Sequence, residues 1–423
     1  MISRQIRSIA SVAAVMLLSA CALPTVEPQG TTGSLNSAST TKTAPANTAS
    51  TSRNGDANRV EPGRTAKIAL LLPLSATGQM AAIAKGMKQA GELALFDSGS
   101  ATLQLIVKDD LGTPEGAAIA AEDAIKDGAE LIIGPLFAGS VKAVAPIAQR
   151  ANVPVVAFSN DAQVAGRGVY LVSFLVTQDI ERIVAYTVAQ GRKRFVALLA
   201  DDAYGRLMGE AFSRAVAAHG GTVKATEFYP PQANAMLEPT RRLVEATKRA
   251  SEDGEPVEAV FIPGSADALS SLGPLLTYAG LDPTRVKLIG TGAWDYPGIG
   301  REAVFVGGWF PAPEPRGWQD FSEKFGKTFG SAPPRIATLS YDAVTFAVQL
   351  STNPPGARFT PGTLTQSTGF NGADGPLRLR ADGMADRGLA VLEVQKQGTH
   401  VVDPAPTNLG TSLVSSTGTR PVN

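Results

Sequence analysis

The sequence contains one cysteine, Cys21, so no disulfide can close within the chain and no thiolate metal cluster can be built from it. Its only histidines are His219 and His400, and neither has a second ligand at a metal-like spacing such as i, i+4, so no metal site is expected. An excess of either charge is also missing. With 38 basic and 38 acidic side chains, the formal net charge is zero. The chain therefore lacks the basic footprint that displaces phosphate counterions, and nucleic acid is excluded as a partner. Aromatic residues are scarce at 6%, while alanine and glycine are abundant, a balance suited to helices packed closely on sheets. Catalytic signatures are missing as well. No nucleophile elbow, Ser-x-x-Lys pair or zinc-protease helix occurs, and Gly290-Thr-Gly292 stops short of a dinucleotide fingerprint. Asp109-Asp110 looks like a carboxylate pair, but successive strand residues point to opposite faces. Arg192-Lys193-Arg194 reads as a solvated turn before a strand. Neither enzymatic activity nor a cofactor is expected. What is there is an ordinary hydrophobic content of 44% over 423 residues, enough for two domains or one large α/β unit.

At the amino end, Arg4 and Arg7 precede an apolar stretch from Ile9 to Leu18. The stretch is too short to span a bilayer and reads as a signal peptide over residues 1–20. Leu18-Ser19-Ala20-Cys21 resembles a bacterial lipobox, and Cys21 is the only cysteine. The resemblance implies a diacylglycerol on the Cys21 sulfur, with enough acyl chains for stable membrane anchoring. Ala22, rather than Asp, follows it, which by the sorting rule of enteric bacteria implies the outer membrane, facing the periplasm. Residues 21–65 are rich in Thr, Ser, Ala, Asn, Gly and Pro and nearly free of large apolar residues, so they are expected to form a disordered tether. About 45 such residues span roughly 35–40 Å as a coil. Residues 404–423 read as a similar tail.

From Ala66 onward, short apolar runs alternate with helical stretches. The expected order is strand Lys67–Leu72, helix Thr77–Phe96, strand Leu103–Val107, helix Pro114–Lys126, strand Leu131–Ile133, helix Ala138–Arg150 and strand Val153–Ala157. A second series follows: helix Gln178–Gln190, strand Phe195–Leu199, helix Tyr204–His219, strand Thr222–Phe228, helix Leu237–Ser251, strand Glu258–Ile262, helix Ala266–Ala279 and strand Val286–Ile289. Strands joined by helices pair in parallel, because a parallel crossover needs a dozen or so residues. Two such series exceed one small sheet, so the fold class is α/β with two lobes. The last third is less regular, with helices near Gly317–Phe329 and Arg335–Leu350 and apolar alternation over Gly388–Val394.

Several pieces of this chain, in order, resemble the Leu/Ile/Val-type (type I) periplasmic binding proteins. They are Ile68-Ala-Leu-Leu-Leu-Pro-Leu-Ser75-Ala-Thr-Gly78, Asp109-Asp-Leu-Gly112-Thr-Pro114, Ile132-Ile-Gly-Pro-Leu136, Asn152-Val-Pro-Val-Val156, Asp202-Ala-Tyr204-Gly205, Tyr341-Asp-Ala-Val344 and Phe370-Asn-Gly-Ala-Asp-Gly-Pro-Leu377. The resemblance covers Ala66 to Asp403. It implies two Rossmann-like lobes with parallel sheets, joined by a three-crossing hinge that closes over a ligand. The expected division is 66–175 plus 292–387 for lobe 1 and 176–291 plus 388–403 for lobe 2. Leu70-Leu-Leu-Pro-Leu-Ser75 and Gly134-Pro-Leu136 also resemble the periplasmic domain of lipoproteins that activate penicillin-binding proteins. That domain shares the fold but works by touching a peptidoglycan synthase.

In open α/β sheets, ligands settle beyond the carboxyl ends of the strands. In the first lobe this points to Ser75, Thr77 and Gln79, to Leu136, Ala138 and Ser140, and to Ser159, Asn160 and Asp161. Helix N-termini there favour an anion. The alternative is that Ser75, Thr77 and Ser159 are ordinary caps. The resemblance implies that a ligand carboxylate is held by the last two of these loops, although Ala138-Gly139 stands where a serine is usual. It also implies an acidic partner for a ligand ammonium near Thr177–Asp179. In the second lobe Asp202 and Tyr204 follow a strand; Tyr204 matches a ligand-packing aromatic of the family or is a plain helix-start residue. Trp294 and Asp295 either line the cleft or, for Trp294, pack beneath the hinge. Two jobs fit. One is a solute-binding lipoprotein that takes a small polar, amino-acid-like ligand for an ABC transporter permease or for sensing. The other is an outer-membrane-anchored activator of a penicillin-binding protein.

Overall fold

A computed structural model describes residues 65–407, apart from 231, 233 and 234, together with Leu409. The signal peptide, Cys21, the tether and most of the tail lie outside the described residues.

The first lobe opens with β1 (Ala66–Leu72), α1 (Gly78–Ser98), β2 (Leu103–Asp109), α2 (Pro114–Lys126), β3 (Leu131–Ile133), α3 (Ala138–Arg150), β4 (Val155–Ala157) and β5 (Val169–Leu171). The five strands form a parallel sheet in the order β2-β1-β3-β4-β5. The continuous apolar run of β1 is explained by burial on both faces. Ile68, Leu70 and Leu72 point into one core and Ala69 and Leu71 into another. The second of these cores is lined by Ala117, Ala120, Ala121 and Ala124 of α2, whose small side chains bring the helix close to the sheet.

The second lobe contains α4 (Val176–Ala189), β6 (Arg194–Ala200), α5 (Ala203–Ala218), β7 (Thr222–Tyr229), α6 (Leu237–Glu252), β8 (Ala259–Phe261), α7 (Ala266–Tyr278), β9 (Lys287–Ile289) and β10 (Trp309–Ala312). The chain then returns to the first lobe as α8 (Pro315–Phe329), α9 (Ala337–Ser351), a short α10 (Pro361–Leu364) and the antiparallel sheet of β11 (Phe370–Gly372), β12 (Gly375–Leu379) and β13 (Ala385–Arg387). It ends in the second lobe with β14 (Ala390–Val394) and β15 (Thr399–Asp403). The second sheet has the order β15-β14-β10-β9-β8-β6-β7, in which only β14 runs against the other strands.

One boundary differs from the sequence expectation. Residues 292–312 belong with the second lobe, because Trp309 pairs with Ile289 and all of β10 pairs with β14. The middle crossing therefore follows Ala312 instead of preceding Gly292. The first two crossings leave at Leu171 and Ala312, at the carboxyl ends of strands of the two large sheets, and the third leaves at Arg387, the end of β13 in the small antiparallel sheet. α1 and α9 pack side by side under the first sheet, with Met87 and Ala94 meeting Leu339, Val344 and Ala347. In the second lobe Phe212 stacks on Phe261 at 4.3 Å and meets Phe195 edge-on at 5.7 Å. Each fully buried side chain of this size contributes about 1.5–3 kcal/mol.

Candidate functional site

The second lobe supplies most of the concave surface. β6 ends at Ala200, and Asp202 caps α5 by accepting the Gly205 N–H at 2.6 Å. That cap fixes the turn which lifts Tyr204 out of the sheet, leaving it 51% exposed. β8 is followed by Pro263-Gly264 and by Ser265, which caps α7. β9 is followed by Thr291-Gly292-Ala293. These strand ends, together with Tyr229 at the end of β7, Met208 and Met236, enclose a cavity of about 440 Å3. Its wall also carries Asp202, Asp267, Ser271 and Tyr204.

A second cavity, of about 230 Å3, lies at the hinge and shares Tyr204, Thr291 and Ala293 with the first. All three crossings reach it, through Phe174 and Val176, through Ala312 and Pro313, and through Leu389. Its charged side chains are Asp179, Asp295 and Arg335. Asp179, in the first turn of α4, accepts the Gly292 N–H at 2.9 Å. Burial pushes its carboxyl up to about 7, against the opposing pull of that hydrogen bond and of Arg387. Burial likewise raises Asp295, with Arg335 drawing it back and Asp374 adding to the rise. Burial and then Asp179 raise the Tyr204 hydroxyl. Tyr229 is pushed up to about 12 by burial, with Asp202 adding repulsion.

Behind the hinge cavity sits a buried ionic cluster. Arg335 pairs with the fully buried Asp374 at 2.8 Å. Asp342 accepts the backbone N–H groups of Ala373 and Asp374 at 2.6 and 3.2 Å, and burial with Asp374 nearby raises its carboxyl. Arg387 donates to the Val172 carbonyl at 2.7 Å. Both guanidinium groups lie against the Phe174 ring, 5.1 and 4.6 Å from its centroid. Two cations and two carboxyl groups thus brace the first crossing among themselves.

The residues expected from the sequence fall into distinct groups. Asp202 and Tyr204 line the cavities, as do Asp179 and Asp295. Trp294 does not: it is fully buried, donates to the Ile262 carbonyl at 2.9 Å and meets Phe305 edge-on at 5.1 Å. A Cβ at Gly290 would overlap its indole, so that glycine exists to seat the ring. Trp294 belongs to the lobe core, and its assignment as a ligand contact is corrected. None of the first-lobe candidates lines either cavity. Ser75 donates to Asp109, which also accepts the N–H groups of Leu74 and Leu111 at 2.9 Å each. Asp110 turns the other way, to the Gly112 N–H at 2.8 Å. Ser140 is buried, so its hydroxyl is not offered to the cleft. Ser159 is buried too, and it accepts the Asp161 N–H at 3.2 Å. Asp161 caps the 3-10 turn Ala162–Val164. Leu136 and Ala138 are partly buried against the first-lobe cores. Thr77, Gln79 and Asn160 are exposed. Gly134, at φ +93°, has its Cα so close to the Leu71 carbonyl that only glycine fits.

Phe174, Arg335, Tyr229 and Met236 were not legible beforehand. Tyr229 closes a strand at its carboxyl end, the one signal that would have found it. A larger cavity, of about 770 Å3, lies at the opposite end of the first sheet, bordered by Ala129, Asn152, Pro154, Gly168 and Arg358. It is far from these groups in the fold.

The sequence profile of the periplasmic binding protein family matches residues 65–399. No curated protein sequence matches the chain. Among solved structures, an ABC transporter substrate-binding protein from Sphaerobacter thermophilus is 22% identical, with a TM-score of 0.64 over 81% of this chain and 98% of its own. A branched-chain amino acid ABC transporter periplasmic ligand-binding protein from Burkholderia xenovorans is 18% identical, with a TM-score of 0.63 over 80% of this chain and 96% of its own. A leucine-binding protein from Thermotoga maritima is 21% identical, with a TM-score of 0.54 over 80% of this chain and 97% of its own. At these identities the likeness establishes the fold. The profile match runs from the first strand into the last, and the chain belongs to the periplasmic binding protein family.

Proposed function

We propose that this chain is a non-enzymatic solute receptor that holds a small zwitterionic, amino-acid-like ligand between its lobes, for ABC-type transport or sensing. The observation that carries the reading is an asymmetry of charge across the hinge. In the first lobe, α1 and α3 begin without a side-chain cap and without an acidic residue in the first turn. Their unsatisfied N–H groups, about half a positive charge at each end, suit a carboxylate. In the second lobe, the hinge cavity carries Asp179, in the first turn of α4, and Asp295, after β9, which suit an ammonium group. Closure about the hinge would bring the first-lobe loops over the two cavities. Leucine and isoleucine are named as ligands of similar structures from Desulfitobacterium hafniense and Streptococcus pneumoniae, in keeping with this class of solute. The test is a thermal-shift screen of the full chain against the common L-amino acids and short peptides. A ligand at a hundred times its dissociation constant adds about 2.7 kcal/mol of stability, a clear rise in Tm. No rise with any of them would remove the reading.

The sequence around Cys21 favours a second reading. A lipid on Cys21 with Ala22 behind it would hold the domain at the outer membrane, away from an inner-membrane permease. That position suits an activator that touches a penicillin-binding protein through the same fold. Membrane fractionation of the wild-type chain and the Cys21→Ser variant tests the anchor, and crosslinking of the anchored chain to a peptidoglycan synthase tests the partner. A wild-type chain that fractionates as soluble would end this second reading.

A further inference from the structure

The cavity of about 440 Å3 in the second lobe lies beyond the hinge cavity and is nearly twice its size. A small branched side chain placed at the hinge would leave it unfilled. Its wall combines an apolar lining, from Met208, Met236 and the rings of Tyr204 and Tyr229, with the carboxylates of Asp202 and Asp267. No Lys, Arg or His is among its lining residues.

Two buried hydroxyl-bearing side chains independently mark it as a built site. Tyr229 is 2% exposed and Thr291 is 3% exposed, and both line the cavity. Neither hydroxyl makes a hydrogen bond to the other described residues. Both side chains are otherwise enclosed and their hydroxyl oxygens open only onto the cavity, where a ligand or ordered water would complete their hydrogen bonding. An anionic group would be turned away. The α5 N-terminus is already occupied by Asp202 on the Gly205 N–H, and Asp267 sits in the first turn of α7. Arg335, the one cation at the neighbouring hinge cavity, is committed to Asp374.

Building on the cleft reading above, we infer that this second-lobe cavity is a subsite for a long, positively charged side chain, so that the solute is a basic amino acid or a short peptide ending in one. The aliphatic stem lies along Met208, Met236 and the tyrosine rings. The cationic head meets Asp202 and Asp267 and accepts the company of the Tyr229 and Thr291 oxygens.

The test is calorimetric titration of the full chain with L-arginine and L-leucine, for the wild type and for Asp202→Asn and Tyr229→Phe. Asparagine keeps the helix cap, and phenylalanine keeps the ring, so both variants retain the fold. L-Arginine is expected to bind at least about tenfold more tightly than L-leucine. Each variant should weaken arginine about fivefold while leaving leucine within about twofold. Leucine binding as tightly as arginine would overturn this inference and leave the cleft reading standing. An arginine preference untouched by both variants would also overturn it, since the charge would then be read elsewhere. Binding of neither amino acid would count against both.

Discussion

The Asp179 carboxylate and the Gly292 N–H, 2.9 Å apart, tie the start of α4 to the turn after β9 at the floor of the hinge cavity. With its pKa near 7, Asp179 goes from about one-tenth ionised at pH 6 to about nine-tenths at pH 8. An ammonium ligand selects the ionised form. Affinity for an amino acid should therefore rise about tenfold across that interval, and binding should release a proton. Asp179→Asn should bind with little dependence on pH. Calorimetry at pH 6, 7 and 8 checks this; a flat wild-type profile would separate Asp179 from the ligand's ammonium.

Conformational stability should follow pH in the opposite sense. Asp179 and Asp342 both titrate well above 3.8 in the folded state because burial penalises their charge, and Asp110 is raised to about 6 for the same reason. A carboxyl whose folded pKa is raised contributes stability that is fully present below its unfolded value and lost as pH climbs through its folded value. The ligand-free protein is thus expected to unfold at lower urea concentration at pH 8 than at pH 5. Asp342→Asn should flatten part of that slope, because asparagine still accepts one N–H from the Ala373–Asp374 turn. Urea midpoints at the two pH values decide it, and equal midpoints for the wild type would refute it.

The framework was legible because burial patterns in β1 to β4 and the helices between them are written in local periodicity. The bounds of α2 and α3 agree with the sequence expectation to the residue. β10 is not legible in the sequence because Pro311 argues against a central strand. The structure accommodates it by pairing β10 with β9 only at Trp309, so no ladder bond to β9 is required of the proline. β5 is three residues long, too short to carry a period. At the site, Asp202 and Tyr204 could be found from their place after a strand. Arg335 and Phe174 could not, since only tertiary folding brings the start of α9 against the first crossing. Trp294 follows its strand as the sequence suggests, but whether its indole turns to the cleft or to the core is a choice that a single turn of 3-10 helix does not encode.

The burial of Trp294 separates stability from binding. Trp294→Phe keeps most of the ring volume but strands the Ile262 carbonyl, which the indole N–H satisfies at 2.9 Å. An unsatisfied buried acceptor together with the small void costs about 1–3 kcal/mol. Urea unfolding should register that loss, while affinity for the best ligand of the thermal-shift screen should stay within about twofold of wild type. A variant of normal stability with weakened binding would return Trp294 to the cleft.

Tyr204 should behave in the reverse way. It is half exposed, its hydroxyl makes no hydrogen bond to the other described residues, and it borders both cavities. Removing it from the empty protein forfeits little packing, so Tyr204→Ala should change stability by no more than about 0.5 kcal/mol. In the closed, liganded form the ring would be enclosed between the solute and the strand ends, where truncating an aromatic contact costs about 1 kcal/mol or more. That corresponds to a fivefold or greater loss of affinity. Calorimetry on a variant whose unfolding midpoint matches wild type isolates the effect. Unchanged affinity would mean that the solute sits against the hinge side of the cleft alone, away from the α5 N-terminus.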